Sequence, residues 1–559
     1  MNGKRKGLIR LTAMMLACVF CFSACGDDYD DYYDDYPQGR MDENTSLASA
    51  SINSSADTTQ VNDGTGSMID MVIRQPQATI KGNGEDKITI FVYMNGSDLE
   101  SDGQEATTDL KEMIAAGGSE KVDILVQTMG TKKWAKDLGI ASNKSQRYLI
   151  DENGFNLVDD SLSQLDCTAS STLENFIKWG AENYPADRYF LIFWNHGGGP
   201  VYGFGNDEFQ GEYDALTLDE IQSALKNAGV YFDFVGMDCC IMSCMEVGCA
   251  LYDHCDYMIL SEDFESGYGW SYTPWLKKLY ANTSMTVPEL GRDIVDSMID
   301  DNKGVNEEGI LAVVDEGAMK VLYTSWVNFA YANEDSLIGE NYSQKRTRSL
   351  GGRVSPILIK KGFFSSWLYG EEEEVTMSDY YITDIMAIAQ NIDSDESKAL
   401  SAAVARALVY VGTTDGDATL TGISITLPYG DSEFYSDLES IFTNCGIDSE
   451  YIQWLEKFVS ASGYDSFYDY DDWGDEWSGW DDYDYGYDDY DDEDSWFDFF
   501  FGDYYDDYDD SCDWGWSDYD DDYWYDDDYY YDDDYYYDDG SYDNWYDDWY
   551  YYDDYGYGW

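Results

Sequence analysis

The sequence predicts an α/β fold, a largely parallel central sheet flanked by helices, set between a polar N-terminal segment and an acidic C-terminal tail. Three observations carry this. Short runs rich in aromatic and β-branched residues recur at 88–93, 122–127, 188–194, 232–238, 257–261 and 310–314, as expected of strands buried on both faces. Segments with apolar residues at helical spacing lie between them, and strand and helix patterns alternate along the chain. Strands joined through a helix run parallel and finish on one edge of the sheet.

The elements follow in order. The strand at 88–93 leads into a helix at 105–116, stopped by Gly117 and Gly118, and then the strand at 122–127. The stretch around Trp134 and 147–151 reads as a hairpin or a pair of short strands. A helix at 173–183 precedes the strand at 188–194. Leu216, Leu218, Ile221 and Leu225 mark a crossover helix that closes on Gly229, and the strand at 232–238 follows. A helix is expected at 243–252, then the strand at 257–261, helices at 286–299 and 318–332, and the strand at 310–314 between them. Later come helices at 381–390, 399–407, 432–442 and 451–460, with a strand at 423–427 stopped by Pro428. The pattern does not say whether these later elements form a second domain or extend the first.

Both ends differ from this middle. Residues 1–24 have a basic start (Lys4, Arg5, Lys6, Arg10) and an apolar run from Leu11 to Phe22 that is short for a bilayer, the layout of a secretory signal peptide. The ending resembles a bacterial lipoprotein box, with Phe22 in place of the usual leucine. It makes Cys25 the lipidated first residue of a membrane-anchored, extracellular, cell-surface protein; the alternative is ordinary cleavage and release. Residues 25–84 are polar and poorly patterned, as in a flexible stalk. Its only basic residues are Arg40, Arg74 and Lys81, and a further basic cluster, KRTR, stands at Lys345 to Arg348 in loop-like sequence. The folded region is expected at 85–462, and 463–559 is a low-complexity tail of Asp, Tyr, Trp and Gly. From Tyr464 onward there are 39 acidic residues and no Lys or Arg, so −42 of the net charge of −81 belongs to everything before it. Such a charge excludes nucleic acid as a partner. The tail reads either as a contact to cell-wall polymer or a weak Ca²⁺ binder, or as a solvated acidic spacer.

Chemistry concentrates at two strand ends. The first strand ends in NHGGG at 195–199, the second in DCC at 238–240. The chain has only two histidines, and His196 is the one that follows an apolar strand; His254, between Asp253 and Asp256, reads as a surface or packing residue. A thiol needs to lose its proton before it attacks, and an imidazole promotes that loss, which pairs His196 with Cys240 or Cys239. Gly197 offers an unobstructed N–H, and the Cys240 amide a second one, for the negative charge that develops on an attacked carbonyl. Asp238 lies two residues before Cys240, on the same side of an extended strand, where a carboxylate suits an Arg or Lys side chain. The eleven cysteines form no evident disulfide framework. Cys240 and Cys244 lie one turn apart if 243–252 is helical, yet no second pair completes a zinc site. Glu246, on that helix, reads as a packing residue.

These residues resemble the clostripain-like cysteine peptidases of the caspase–hemoglobinase type. The resemblance runs from Lys87 to about Ser462 and includes YMNGSDLE at 93–100, YPADRY at 184–189, NHGGG, DCCIM at 238–242 and GYGW at 267–270. It implies a caspase-like fold and an extracellular endopeptidase with a His196–Cys240 dyad, which cleaves protein or peptide substrates after Arg or Lys. Cys239 then stands at an alanine position of the family motif. Asp238 falls in the specificity pocket, and a second acid comes from Glu262 or Asp263. It also makes Ca²⁺ a possible cofactor, although no EF-hand-like loop occurs and the sequence requires none. Lys226 is the only basic residue between His196 and Cys240, on the crossover helix, so this chain is expected to work uncut. The competing function is a catalytically inert adhesion protein acting through its tail.

Overall fold

Strand periodicity is realised in a nine-stranded sheet whose strands we number β1 to β9: Ile88–Asn95, Val122–Met129, Gln146–Asp151, Gly154–Asp159, Arg188–Trp194, Phe232–Asp238, Cys255–Leu260, Ile310–Asp315 and Leu408–Thr413. The computed structural model describes residues 58–62, 68–210, 214–305, 307–338, 357–359, 373–375, 381–414, 420–428 and 431–461. The signal peptide, Cys25, the KRTR cluster and the tail at 463–559 lie outside the described residues. Across the sheet the order is β9-β8-β7-β6-β5-β1-β2-β3-β4. The five central strands, β2, β1, β5, β6 and β7, are parallel, and antiparallel pairs close each side. The fold is therefore the α/β, largely parallel sheet expected.

The central strands read as unbroken apolar runs because helices cover both faces. Phe91, Tyr93, Leu191 and Phe193 point into one core, while Ile90, Val92, Phe190 and Ile192 point into the other. The crossover helix Leu218–Ala228 buries Leu218, Ile221, Ala224 and Leu225. Its start is fixed by a capping box between Thr217 and Glu220, and its end by Gly229 at φ 68°. After β1 the chain goes to β2 on one side and later to β5 on the other. Such a reversal opens a crevice at the carboxyl ends of the strands.

The structure corrects several expectations. The helix after Cys240 begins only at Met245, because residues 239–244 turn back and bond to other segments; Ile241 N–H reaches Asp263 O at 2.9 Å and Ser243 N–H reaches Ser261 O at 2.8 Å. Cys240 and Cys244 are therefore not on one helical face. The expected helix at 381–390 is a short strand, Ile382–Asp384, followed by the helix Ile385–Gln390, which Asp384 caps by accepting from Ala387 N–H. Strand β9 was not anticipated: LVYVGT at 408–413 continues directly from the helix Asp395–Ala407. It joins the large sheet beside β8, so the late elements extend this domain. Finally, residues 73–84, assigned to the stalk, are packed on the domain. Ile73 is buried, Arg74 pairs with Asp256 at 3.2 Å, and Gln77 and Ala78 donate N–H bonds to the same carboxylate. The segment has no strand or helix period of its own and is held by its partners instead.

Candidate active site

Strands β5 and β6 are parallel neighbours with Trp194 in register with Asp238, so the residues just beyond, His196 and Cys239–Cys240, arrive together at the carboxyl edge. Asn195 anchors the first turn: its Nδ2 bonds to the Asn95 carbonyl and, at 2.8 Å, to Ser97 Oγ. The loop after His196 folds back, with Gly205 N–H on the His196 carbonyl at 2.9 Å. Gly197 lies so close to the cysteine turn that a Cβ there would sit 2.0 Å from the Cys240 carbonyl oxygen, which requires glycine. Its N–H donates to no acceptor among the described residues. In the cysteine turn Ile241 adopts φ 50°, a left-handed conformation that a β-branched residue rarely takes. The bonds to Ser261 and Asp263 hold it there. Glu265 N–H points at Cys240 Sγ at 3.2 Å. His196, Cys239, Cys240, Asp238, Trp194 and Glu265 all line one recess of about 370 Å³, counting its open mouth.

The histidine is oriented by a residue that sequence reasoning missed. His196 Nε2 lies 3.2 Å from Asp98 Oδ1, and Ser97 Oγ donates to the same oxygen at 2.7 Å. Burial alone would push the Asp98 carboxyl up, yet the His196 imidazole and the Ser97 hydroxyl hold it down at about 2. An Asp98 that is ionised at neutral pH accepts from Nε2–H and leaves Nδ1 as the basic nitrogen. The available signal was positional: Asp98 follows β1, the strand beside β5, and therefore reaches the same edge.

Acidic groups gather under the recess. Asp238 accepts from Tyr272 Oη at 2.7 Å and from Trp270 N–H at 3.1 Å, and burial pushes its carboxyl up to about 7 against those bonds. Asp109, on the helix Glu105–Ala115, accepts from Trp194 Nε1 at 2.6 Å; burial and the nearby Asp238 push it well up. Glu265 faces Asp238 and the Trp270 indole outside hydrogen-bonding geometry, so both its oxygens lack a donor among the described residues. Among the described residues no Lys or Arg forms an ion pair with any of the three.

The expected second acid is thus corrected. Glu262 points away from the recess, accepting from Gly422 N–H and from Ser424 Oγ at 2.7 Å. Asp263 accepts from Phe264 N–H at 2.8 Å, and burial raises it to about 7. Neither lines the recess; Glu265 does. Beyond β7 the chain turns at once, with Ser261 Oγ bonded to the carbonyls of Asp263 and Ile310, both at 2.8 Å. Of the motif at 267–270, Gly267 and Gly269 line the recess, Trp270 anchors the loop from below, and Tyr268 is 46 % exposed. Glu246 has a packing role, accepting from Thr426 N–H at 3.0 Å and Tyr451 Oη at 2.9 Å. His254 lies at the opposite edge, its carbonyl bonded to Phe232 N–H at the start of β6. As for calcium, no group of three or more His, Cys, Asp or Glu side chains is placed to hold a metal ion among the described residues.

Comparison with known proteins adds the following. The model of the clostripain family matches residues 92–480. The curated clostripain of Hathewaya histolytica is 25 % identical over 205 residues, which cover 31 % of this chain and 38 % of that protein. Among solved structures, a secreted C11 cysteine protease from Bacteroides thetaiotaomicron, bound to an irreversible peptide inhibitor, is 16 % identical with a TM-score of 0.48, covering 65 % of this chain and 99 % of that one. An inactive zymogen C11 protease from Parabacteroides distasonis is 16 % identical with a TM-score of 0.45, covering 66 % and 97 %.

Proposed function

The chain belongs to the clostripain family, and from that premise we propose that it is a cysteine endopeptidase cutting protein or peptide substrates on the carboxyl side of Arg or Lys. One observation carries this reading: His196 and Cys240 share a recess with two buried acids, Asp238 and Glu265, that form no ion pair with Lys or Arg among the described residues. A buried carboxylate without a positive partner is costly, and a guanidinium or ammonium entering the recess relieves that cost. Arg gains more than Lys, because its planar fork can meet two carboxylates at once.

The chemistry then runs on this chain's own groups. The P1 side chain occupies the recess and brings the scissile carbonyl over Cys240. Cys240 Sγ gives its proton to His196 Nδ1 and attacks the carbonyl carbon, while Asp98 stabilises the imidazolium. The oxyanion is held by Gly197 N–H together with the Cys240 amide. His196 passes the proton to the departing amine, which leaves an acyl-thioester. Water, deprotonated by His196, attacks that thioester and frees the enzyme. We take Cys240 rather than Cys239 as the nucleophile because Cys239 Sγ packs beside the Gly197 backbone.

In this reading the enzyme acts outside the cell, tethered through a lipid on Cys25, with its tail in contact with cell-wall polymer. Labelled fatty acid that persists after Cys25→Ala would count against the tether. Lys226 is exposed in the last turn of the crossover helix, and a cut there would open the core, so the chain acts uncut. The catalytic assignment is tested with an arginine-amide reporter peptide. Cys240→Ala is expected to abolish hydrolysis and Cys239→Ala to retain it; the reverse pattern would move the nucleophile by one residue. Absence of hydrolysis in the unaltered protein would favour the inert adhesion protein.

A further inference from the structure

Glu265 takes part in two contacts that are normally made by different residues. Its carboxylate lines the recess beside Asp238, with neither oxygen accepting a hydrogen bond among the described residues. Its main chain touches the sulfur: the N–H donates to Cys240 Sγ at 3.2 Å, and the carbonyl accepts from Sγ at 3.9 Å. One of the two acids lining the recess is therefore fixed to the nucleophile by one backbone unit.

A carboxylate beside a thiol opposes ionisation, because it puts two negative charges together in a site shielded from water. The other groups facing this point are of little help. Asp238 and Cys239 come from the end of β6, Asp109 and Glu112 from the helix Glu105–Ala115, and Tyr272 from the helix Tyr272–Ala281. Among the described residues lining the recess, His196, held by Asp98, is the one group able to become a cation. Burial, followed by Asp238 and Cys240, pushes the Glu265 carboxyl well up, as expected where no cation answers it.

We infer that the basic side chain of the substrate takes part in activating the nucleophile: by neutralising Glu265 and Asp238 it allows Cys240 to ionise beside them. Selection for Arg or Lys then acts on the chemical step as well as on binding. The inference rests on the reading above, in which the recess receives a basic P1 side chain and Cys240 attacks.

The test separates the two. Methylguanidine supplies the cation without a scissile bond, and methylurea is its neutral counterpart. The purified protein is treated with iodoacetamide near pH 8, above the folded pKa of Asp238, where the Cys240 sulfur displaces iodide from the CH₂ carbon, and the modified residue is located by fragmentation mass spectrometry. Saturating methylguanidine is expected to raise the rate at Cys240 by about three- to tenfold, since thiolate fraction sets the rate and one pKa unit is about tenfold. Methylurea is expected to leave the rate unchanged, and Glu265→Gln to react faster from the outset with a smaller response. Equal rates with both compounds, or slower alkylation with methylguanidine, would overturn the inference. If arginine peptides are nevertheless cut, the proposed function stands without it; if they are not cut and methylguanidine does not bind, the proposed function itself has failed.

Discussion

Three buried acids at one edge of the sheet and three at the other are treated in opposite ways. At the amino edge three buried carboxylates are met by arginine, while Asp86 is held by N–H and hydroxyl donors and Glu316 has no hydrogen-bond partner among the described residues. Arg188 Nε meets Asp233 at 2.5 Å while its Nη1 bonds to the carbonyls of Thr283 and Met285, Arg74 meets Asp256 at 3.2 Å, and Arg406 meets Asp315 at 3.0 Å. At the carboxyl edge Asp109, Asp238 and Glu265 have hydrogen-bond donors at most, and Glu265 has none among the described residues. The same chain and the same sheet supply both arrangements, so the missing cations are not a limit of the fold. Away from the recess Asp233, Asp256 and Asp315 are paired with arginine within the chain. Where a ligand arrives, the pairing is left for the ligand to complete, at the expense of stability.

The largest effect that would sharpen this contrast is at the amino edge. Arg188→Met leaves Asp233 buried and unpaired, and chemical denaturation should show a loss of about 3–5 kcal/mol, with the Arg preference of the remaining folded protein intact. Next, Glu265→Gln should lower kcat/KM for arginine peptides by about 10²-fold, the scale of losing one desolvated charge partner, without lowering the melting temperature at pH 8. Equal loss of stability at both edges would break the comparison. A smaller change is expected from Asp98→Asn, about tenfold or somewhat more in kcat, because the imidazolium loses its counter-charge while the peptide still binds. KM for the arginine peptide should hold, and a rise in KM with unchanged kcat would assign Asp98 to binding instead.

The contrast also reaches the pH dependence of stability. Asp238 has a folded pKa of about 7, raised by burial above its ordinary 3.8. The folded state therefore binds the extra proton between those values, and the stability it contributes is present in full at low pH and lost as pH rises toward 7. Asp238→Asn should remove that slope, so that melting temperatures of variant and parent converge near pH 4 and the variant melts higher at pH 8. A variant that gains nothing at pH 8 would mean that Asp238 is not strained by its burial.

Much of this was legible in the sequence, for identifiable reasons. The central strands stood out because both faces are buried, which leaves continuous runs such as YFLIFW at 189–194. His196 stood out because histidine is rare in this chain, and Asp238 because it ends an apolar strand just before the cysteine pair, although the strand period itself stops there. Glu265 was hidden since the loop after β7 leaves strand geometry at Ser261, and counting along it no longer reports direction. Asp98 was hidden since its role depends on β1 lying next to β5, a pairing across about a hundred residues that no local pattern records. The strap at 73–84 looked like linker because its structure comes from Asp256 and its neighbours rather than from its own apolar period. Strand β9 was hidden because it is a short, half-buried edge strand that follows a helix without a turn.

The most direct measurement is the residue preference on the amino side of the cut when the purified protein digests a diverse peptide library. Acids held unpaired at the carboxyl edge require Arg, followed by Lys, at that position, with the preference collapsing in Asp238→Asn. A preference for Asp, or cleavage indifferent to charge at that position, would contradict the idea that these carboxylates wait for a substrate cation.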